Sequence, residues 1–193
     1  MSGSAQTNPR VTTFVGGGTG SWRVVSQRTL SGAAIKPAAR LEMFAGLPTT
    51  TPCDAAWTLW GAATNDRYTT RTEKSELVSR QAPIGRPDAT RAALIALSKS
   101  ADWWALAQDE RRKILEEDSH HIAIGLRYLP AVARRLLHCR DLEYDAPFDF
   151  LGFLDYPQSY EAAFEEMLGL LRATSEWSFV NREIDIRLEK SSG

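Results

Sequence analysis

Histidine is scarce in this chain of 193 residues, with only three copies. Two of them, His120 and His121, are adjacent. On a helix, neighbours point about 100° apart, so the pair cannot grip one face of a metal together. A two-histidine zinc site needs spacing such as i,i+4 and a third ligand, and that pattern is absent. Two fates stay open for the pair. One is a capping or buried structural histidine, the commoner outcome. The other is a single axial ligand to a haem iron, which asks for one protein ligand on its proximal side. Arg134 is the second anomaly. In a strand reading it shares a face with Val132 and Leu136, while Arg135 takes the opposite, solvated face. An arginine on an apolar face is either half of a structural ion pair or a buried cation with a task. The third is Trp103-Trp104, among six tryptophans in all. One ring can pack in the core while the other reaches a pocket or an interface.

Composition removes several classes of function. The chain is 43% hydrophobic and 24% charged, with a formal net charge of −1, which suits a globular domain with a real core. A nucleic-acid binder would carry a basic excess. The pairs Arg111-Arg112 and Arg134-Arg135 are isolated. Cys53 and Cys139 form no CxxC or zinc-like spacing, and two reduced thiols in a cytoplasmic protein are the expectation. The polar residues 1–10 lack the apolar core of a signal peptide. No run of about 18 apolar residues suggests a membrane span. Residues 16–21 (GGGTGS) invite a phosphate-loop reading, but no Lys-Ser/Thr follows and the next residues read as a strand.

Periodicity supplies the elements meant to position the candidates. Residues 11–15 and 22–25 read as two strands joined by the glycine-rich turn. Pro37 is placed to open a helix near 37–41. Residues 56–61 have β character, continuing through 67–71, and residues 72–78 read as a polar helix. A boundary falls near residues 84–87, dividing the chain into 1–85 and 86–193. Residues 92–97 are apolar and ambiguous between helix and strand. Residues 102–118 read as one helix, and Ser119 as the N-cap of a short helix ending before Pro130. Residues 132–138 alternate, residues 148–155 form a strand, and Ser159 caps a helix with an apolar stripe from Tyr160 to Leu171. Residues 184–188 alternate as a half-buried strand. The order predicts an α+β layer with helices on one face of an antiparallel sheet. The first half reads as a degraded copy of the second: strand, strand, helix, strand, helix.

Several of these segments together resemble the chlorite dismutase family in its short, dimeric branch. The carrying stretches are AWTLWG at 56–61, TNDRY at 64–68, IGR at 84–86, DWW at 102–104, the run at 119–136, FDFL at 148–151, and Glu176-Trp177 through residue 187. The match covers roughly residues 55–190 and is strongest in the His-His to Arg-Arg run. The resemblance implies a dimeric α+β barrel of two ferredoxin-like halves with antiparallel sheets, the N-terminal half shortened. It implies haem b as cofactor and chlorite as substrate, converted to chloride and O2 with O–O bond formation, in a cytoplasmic homodimer with neither nucleic-acid nor membrane partners. The family's proximal ligand matches His121, and its distal arginine, thirteen residues on, matches Arg134. Starting instead from His120 puts Ala133 at that position. The carboxylate on the ligand's other ring nitrogen matches Glu176, at the start of a strand. The distal glutamine matches Gln81, a catalytic residue beside Arg134. Asn65 and Tyr68 match a segment at the haem edge. Competing readings from the same superfamily are a coproheme decarboxylase, a haem carrier or sensor, and a peroxidase-type enzyme. Decarboxylases typically lack the distal arginine.

Overall fold

The computed structural model describes residues 10–47, 54–64, 67–142 and 145–191. Eight antiparallel strands close into a barrel in the order β1-β3-β2-β8-β5-β7-β6-β4, with β4 returning to β1. They are β1 (Val11–Gly17), β2 (Trp22–Ser31), β3 (Arg40–Ala45), β4 (Trp57–Ala63), β5 (Arg91–Lys99), β6 (Ala133–His138), β7 (Phe150–Tyr156) and β8 (Val180–Lys190). The helices are α1 (Arg71–Arg80), α2 (Ala101–Ala105), α3 (Gln108–Arg112), α4 (His121–Arg127) and α5 (Glu161–Arg172).

The strand order repeats. Across the first four strands it runs β4-β1-β3-β2, and across the last four β8-β5-β7-β6. The later connections β5 to β6 and β7 to β8 carry helices. The equivalent β1–β2 connection is only residues 18–21, and the described part of the β3–β4 connection has no helix.

The strand β5 shows how the sequence builds this. Ala92, Leu94 and Ala96 point into the barrel, where they pack with Phe14, Leu41 and Ile184. Ala93 and Ile95 point outward against Phe164, Met167 and Leu168 of α5. A strand buried on both faces reads as a continuous apolar run, which is why periodicity alone left 92–97 ambiguous. A third cluster, Leu77 with Ile122, Leu126 and Leu129, packs α1 against α4.

Several expectations need correction. Pro37 opens no helix: residues 33–38 are irregular and lead into β3, because proline suits an extended approach as well as a first helical turn. The first half therefore runs through four strands before its helix. Residues 67–71 do not extend β4. Tyr68 has a positive φ of 64°, and Thr70 caps α1 in a capping box with Glu73. The helix expected over 102–118 is broken between α2 and α3 and ends in a π-helical turn, Lys113–Asp118. Ser159 lies in a 3₁₀ turn ahead of α5 rather than at its cap.

The helix α5 is pinned to the sheet by charge. Asp185 of β8 is fully buried and meets Arg172 of α5 at 2.7 Å and Arg187 at 2.5 Å. Burial pushes its carboxyl up, but Arg187 and Arg172 outweigh burial and hold it below the ordinary value. A depressed carboxyl stabilises the fold above its unfolded pKa and loses that contribution as pH falls. Asp185→Asn should therefore lower the unfolding free energy in urea by about 3 kcal/mol at neutral pH. The gap to wild type should hold above pH ~4 and narrow below it; a constant gap across that range would contradict the charge-based account.

Candidate functional site

Between the outward face of β5, β7 and β6 and the helices α4 and α5 lies a cleft. It holds about 1180 Å³ of atom-free space and continues into solvent. Its walls are mainly apolar, with Leu97, Leu136, Phe150, Leu154, Met167 and Leu168 among them. Apolar clefts with few convergent polar groups are where ligands bind. The polar groups here are the ones the sequence singles out, with additions.

His121 is the first residue of α4. The exposed His120 before it takes a left-handed conformation, φ 54°, which turns the chain sharply into the helix. The open N–H groups of Ile122 and Ala123 donate to the carboxylate of Glu116 at 2.6 and 3.2 Å. Ser119 is thus not the N-cap. Its hydroxyl instead accepts the backbone N–H of Glu176 at 3.0 Å. His121 Nδ1 lies 3.0 Å from Glu176 Oε2. A carboxylate there keeps the ring proton on Nδ1 and leaves the Nε2 lone pair for a ligand. Among the described residues no three His, Cys, Asp or Glu side chains converge as a metal cluster, so His121 stands as a single imidazole.

Glu176 lies in a 3₁₀ turn, Ser175–Phe179, ahead of β8, not in the strand itself. It is 3% exposed. Its other carboxylate oxygen accepts from Lys99, whose ammonium also donates to the Glu176 carbonyl at 3.1 Å. Burial pushes the Glu176 carboxyl up, but His121 and Lys99 outweigh burial and hold it at about 2. Burial also pulls Lys99 down, against the pull of Glu176. The Lys99 ammonium sits 4.7 Å from the Trp103 ring centre and 5.9 Å from that of Trp177, close enough for cation–π attraction. Lys99 is the residue that sequence reasoning missed. Its signal was the strand alternation: Ile95, Leu97 and Lys99 share the cleft-facing side of β5.

Arg134 faces the same cleft from β6, on the face that alternation assigned to it. It is 9% exposed, and its Nε is buried without a hydrogen-bond partner. Burial pulls its pKa to about 10, still a cation at neutral pH. Gly125, four residues after His121 on α4, makes room for it, since a Cβ there would collide with Arg134 Nη1. Tyr68 also lines the cleft. Its hydroxyl is buried without a partner, and its ring meets Trp103 edge to face, centroids 6.4 Å apart. Gln81 does not line the cleft. Its amide donates to the backbone carbonyls of Arg134 at 3.0 Å and Ala82 at 2.9 Å, so it touches the site through the Arg134 main chain. Asn65 lies outside the described residues. Of the tryptophan pair, Trp103 is buried beside Lys99, while Trp104 stacks on Phe150.

No family model and no curated protein matches this sequence. Solved structures do. A dimeric chlorite dismutase from Nitrobacter winogradskyi aligns at 47% identity over 93% of this chain and 99% of its own, with a TM-score of 0.83. The chain belongs to the chlorite dismutase family. A mutant chlorite dismutase from Candidatus Nitrospira defluvii in complex with cyanide shares the fold at 18% identity and TM-score 0.66, over 96% of this chain and 92% of its own. The same organism's enzyme in complex with imidazole aligns at 18% identity and TM-score 0.64, over 95% and 92%.

In this chlorite dismutase chain the cleft is polarised. A carboxylate-anchored imidazole comes from α4, and a guanidinium comes from β6. The anchor can be tested through stability alone. Lys99→Met leaves the buried Glu176 carboxylate with fewer partners and should cost about 3 kcal/mol in urea unfolding. Adding Glu176→Leu removes the stranded charge, so the double variant should lose less than the sum of the single losses by more than about 1 kcal/mol. Simple additivity would show that the pair is not coupled.

Proposed function

We propose that this chain is a haem b-dependent chlorite dismutase, converting ClO2⁻ to Cl⁻ and O2. The observation that carries the reading is one apolar cleft that presents the Glu176-anchored His121 and the buried, unpartnered Arg134 edge, in a chain that is 47% identical to a chlorite dismutase. The residues fit the cofactor. The imidazole has its far nitrogen occupied and its near one available, and the walls are apolar.

When bound, haem would supply a redox-active iron for breaking the Cl–O bonds of the oxyanion. His121 Nε2 would hold the haem iron. Glu176 holds the proton on Nδ1 and makes the imidazole a stronger donor. Lys99 fixes the Glu176 carboxylate so that it stays charged and in place. Arg134 supplies a permanent cation where the oxyanion and its fragments must be held, in a wall that excludes water. Gln81 positions the Arg134 backbone. Asn65 and Tyr68 serve the cofactor edge.

The reading extends to assembly. The repeated strand order supports two ferredoxin-like halves, 1–85 shortened and 86–193 haem-binding, joined as one compact barrel. The dimeric state of the Nitrobacter winogradskyi protein supports a homodimer. Among the described residues no helix is long and apolar enough to cross a membrane, and a cytoplasmic location is part of the proposal.

The test is an oxygen-electrode trace of haem-loaded protein after chlorite addition. Wild type should release O2. Arg134→Ala should keep the Soret band and lose about 100-fold of the rate, the scale of removing one preorganised charge donor. His121→Ala should lose the normal haem spectrum. No O2 from haem-loaded wild type would overturn the activity, and an unchanged Soret band in His121→Ala would move the ligand elsewhere.

A further inference from the structure

The segment Ile84-Gly85-Arg86 belongs to the family likeness, yet nothing above gives it a task. It lies in the connection from α1 to β5, where β5 and β6 begin and β7 ends. Ile84 packs against the interior cluster of the barrel. Gly85 turns the chain with a φ of 81°, a conformation that a side chain would strain. A Cβ there would meet nothing within 4 Å, so the backbone angle rather than crowding calls for glycine. The turned N–H of Gly85 donates to Asp155 Oδ2 of β7 at 2.5 Å.

Asp155 is fully buried, with Ala92 of β5 and Ala133 of β6 paired on either side of it. Burial pushes its carboxyl above the ordinary value, against the pull of the Gly85 N–H, Arg86 and Lys190. Its Oδ1 meets no donor among the described residues. What this carboxylate holds, it holds through Oδ2 and Gly85.

Arg86 reaches the connection between α4 and β6. Its Nη1 donates to the Pro130 carbonyl at 2.6 Å and its Nη2 to the Ala131 carbonyl at 2.8 Å. One planar guanidinium thus binds two successive carbonyls and fixes their relative orientation, which a lysine cannot do. Arg86 is itself held. Its own carbonyl accepts the Ala89 N–H at 3.1 Å, and its Nε lies 3.6 Å from the Asp88 carboxylate. Residues 128–132 are neither helix nor strand, so a grip from outside sets their course.

This connection joins the two chemical groups of the cleft. His121 opens the helix before it, and Arg134 is the second residue of the strand after it. Gln81, from the same α1–β5 connection, takes the Arg134 carbonyl at 3.0 Å. There is little slack in the arrangement, because Arg134 Nη1 would lie 2.3 Å from a Cβ on Gly125 of α4. In a packed interior a shift of the connection is passed on. It would press the Arg134 guanidinium onto α4 or draw it away.

We propose that Arg86 is a positioning residue for Arg134. Held at its backbone by Asp155 through Gly85, it fixes the connection from α4 to β6 and so sets where the Arg134 guanidinium stands in the cleft. The inference rests on the haem reading above, in which Arg134 holds the oxyanion.

The test titrates the ferric, haem-loaded protein with two probes and follows its spectrum. Fluoride is an anion and gains from a well-placed cation; imidazole is a neutral ligand and does not. Arg86→Ala should weaken fluoride binding about fivefold, or ~1 kcal/mol, and leave imidazole within about twofold. Arg86→Lys keeps the charge but offers no fork, so it should fall between Arg86→Ala and wild type; it replaces the alanine variant if that one does not fold. Asp155→Ala should shift fluoride in the same direction. The deciding comparison is made in the Arg134→Ala background, where the Arg86 substitution should change fluoride affinity no further, because the residue it acts through is gone. A further loss in that background would overturn the proposal. So would an equal loss for both probes, or fluoride affinity unchanged in the Arg86 variant. Wild type that takes up no haem at all would overturn the haem reading itself, and this inference with it.

Discussion

The buried carboxylate of Glu176 is the constraint around which this site is organised. An isolated carboxylate at 3% exposure would cost several kcal/mol and would take up a proton instead. It remains an anion because three separate elements converge on it: Lys99 from the end of β5, His121 from the start of α4, and Ser119, which fixes its backbone. Any displacement of one element strips a partner from the charge. The requirement to keep Glu176 ionised therefore locks the imidazole orientation, the entry into α4 and the turn before β8 together. Preorganisation of this kind is what a ligand-holding histidine needs, since its ring must point correctly before the ligand arrives.

Arg134, on the β6 wall, presents the reverse situation. Arg134 is a cation with an unmatched buried donor, held in place by burial and by the close approach to Gly125. The Glu176 carboxylate has its partners, and Arg134 Nε has none. Gln81 shapes this wall indirectly, by tying the end of α1 to the backbone of β6.

Much of this was legible in the residues. Alternation placed Arg134 on one face with Val132 and Leu136, and the chain's last strand was evident from the Ile-Asp-Ile-Arg-Leu pattern. The thirteen-residue interval picked His121 over His120 only once the family likeness supplied the distance to look for. Legibility failed where tertiary contacts override local preference. Pro37 and Ser119 carry helix-start signals, but Pro37 leads into a strand and Ser119 is needed by Glu176. The helix over 102–118 breaks although no proline or glycine marks the place. Lys99 was passed over because a lysine closing an apolar strand reads as its solvated end. Only the position of Glu176, 77 residues away, makes it a buried partner.

The strand order of the barrel is the same in its first and last four strands, so the sheet on its own is close to two-fold symmetric. The chemistry is not. Where the first repeat turns from one strand to the next in residues 18–21, the second spends residues 100–132, and that excursion supplies His121, Glu116, Ser119 and both tryptophans of the Trp103-Trp104 pair. A pseudo-symmetric scaffold has in effect allotted its reactive chamber to one of two equivalent addresses. The other address, residues 18–21, contributes nothing to the cleft lining and answers to packing demands alone.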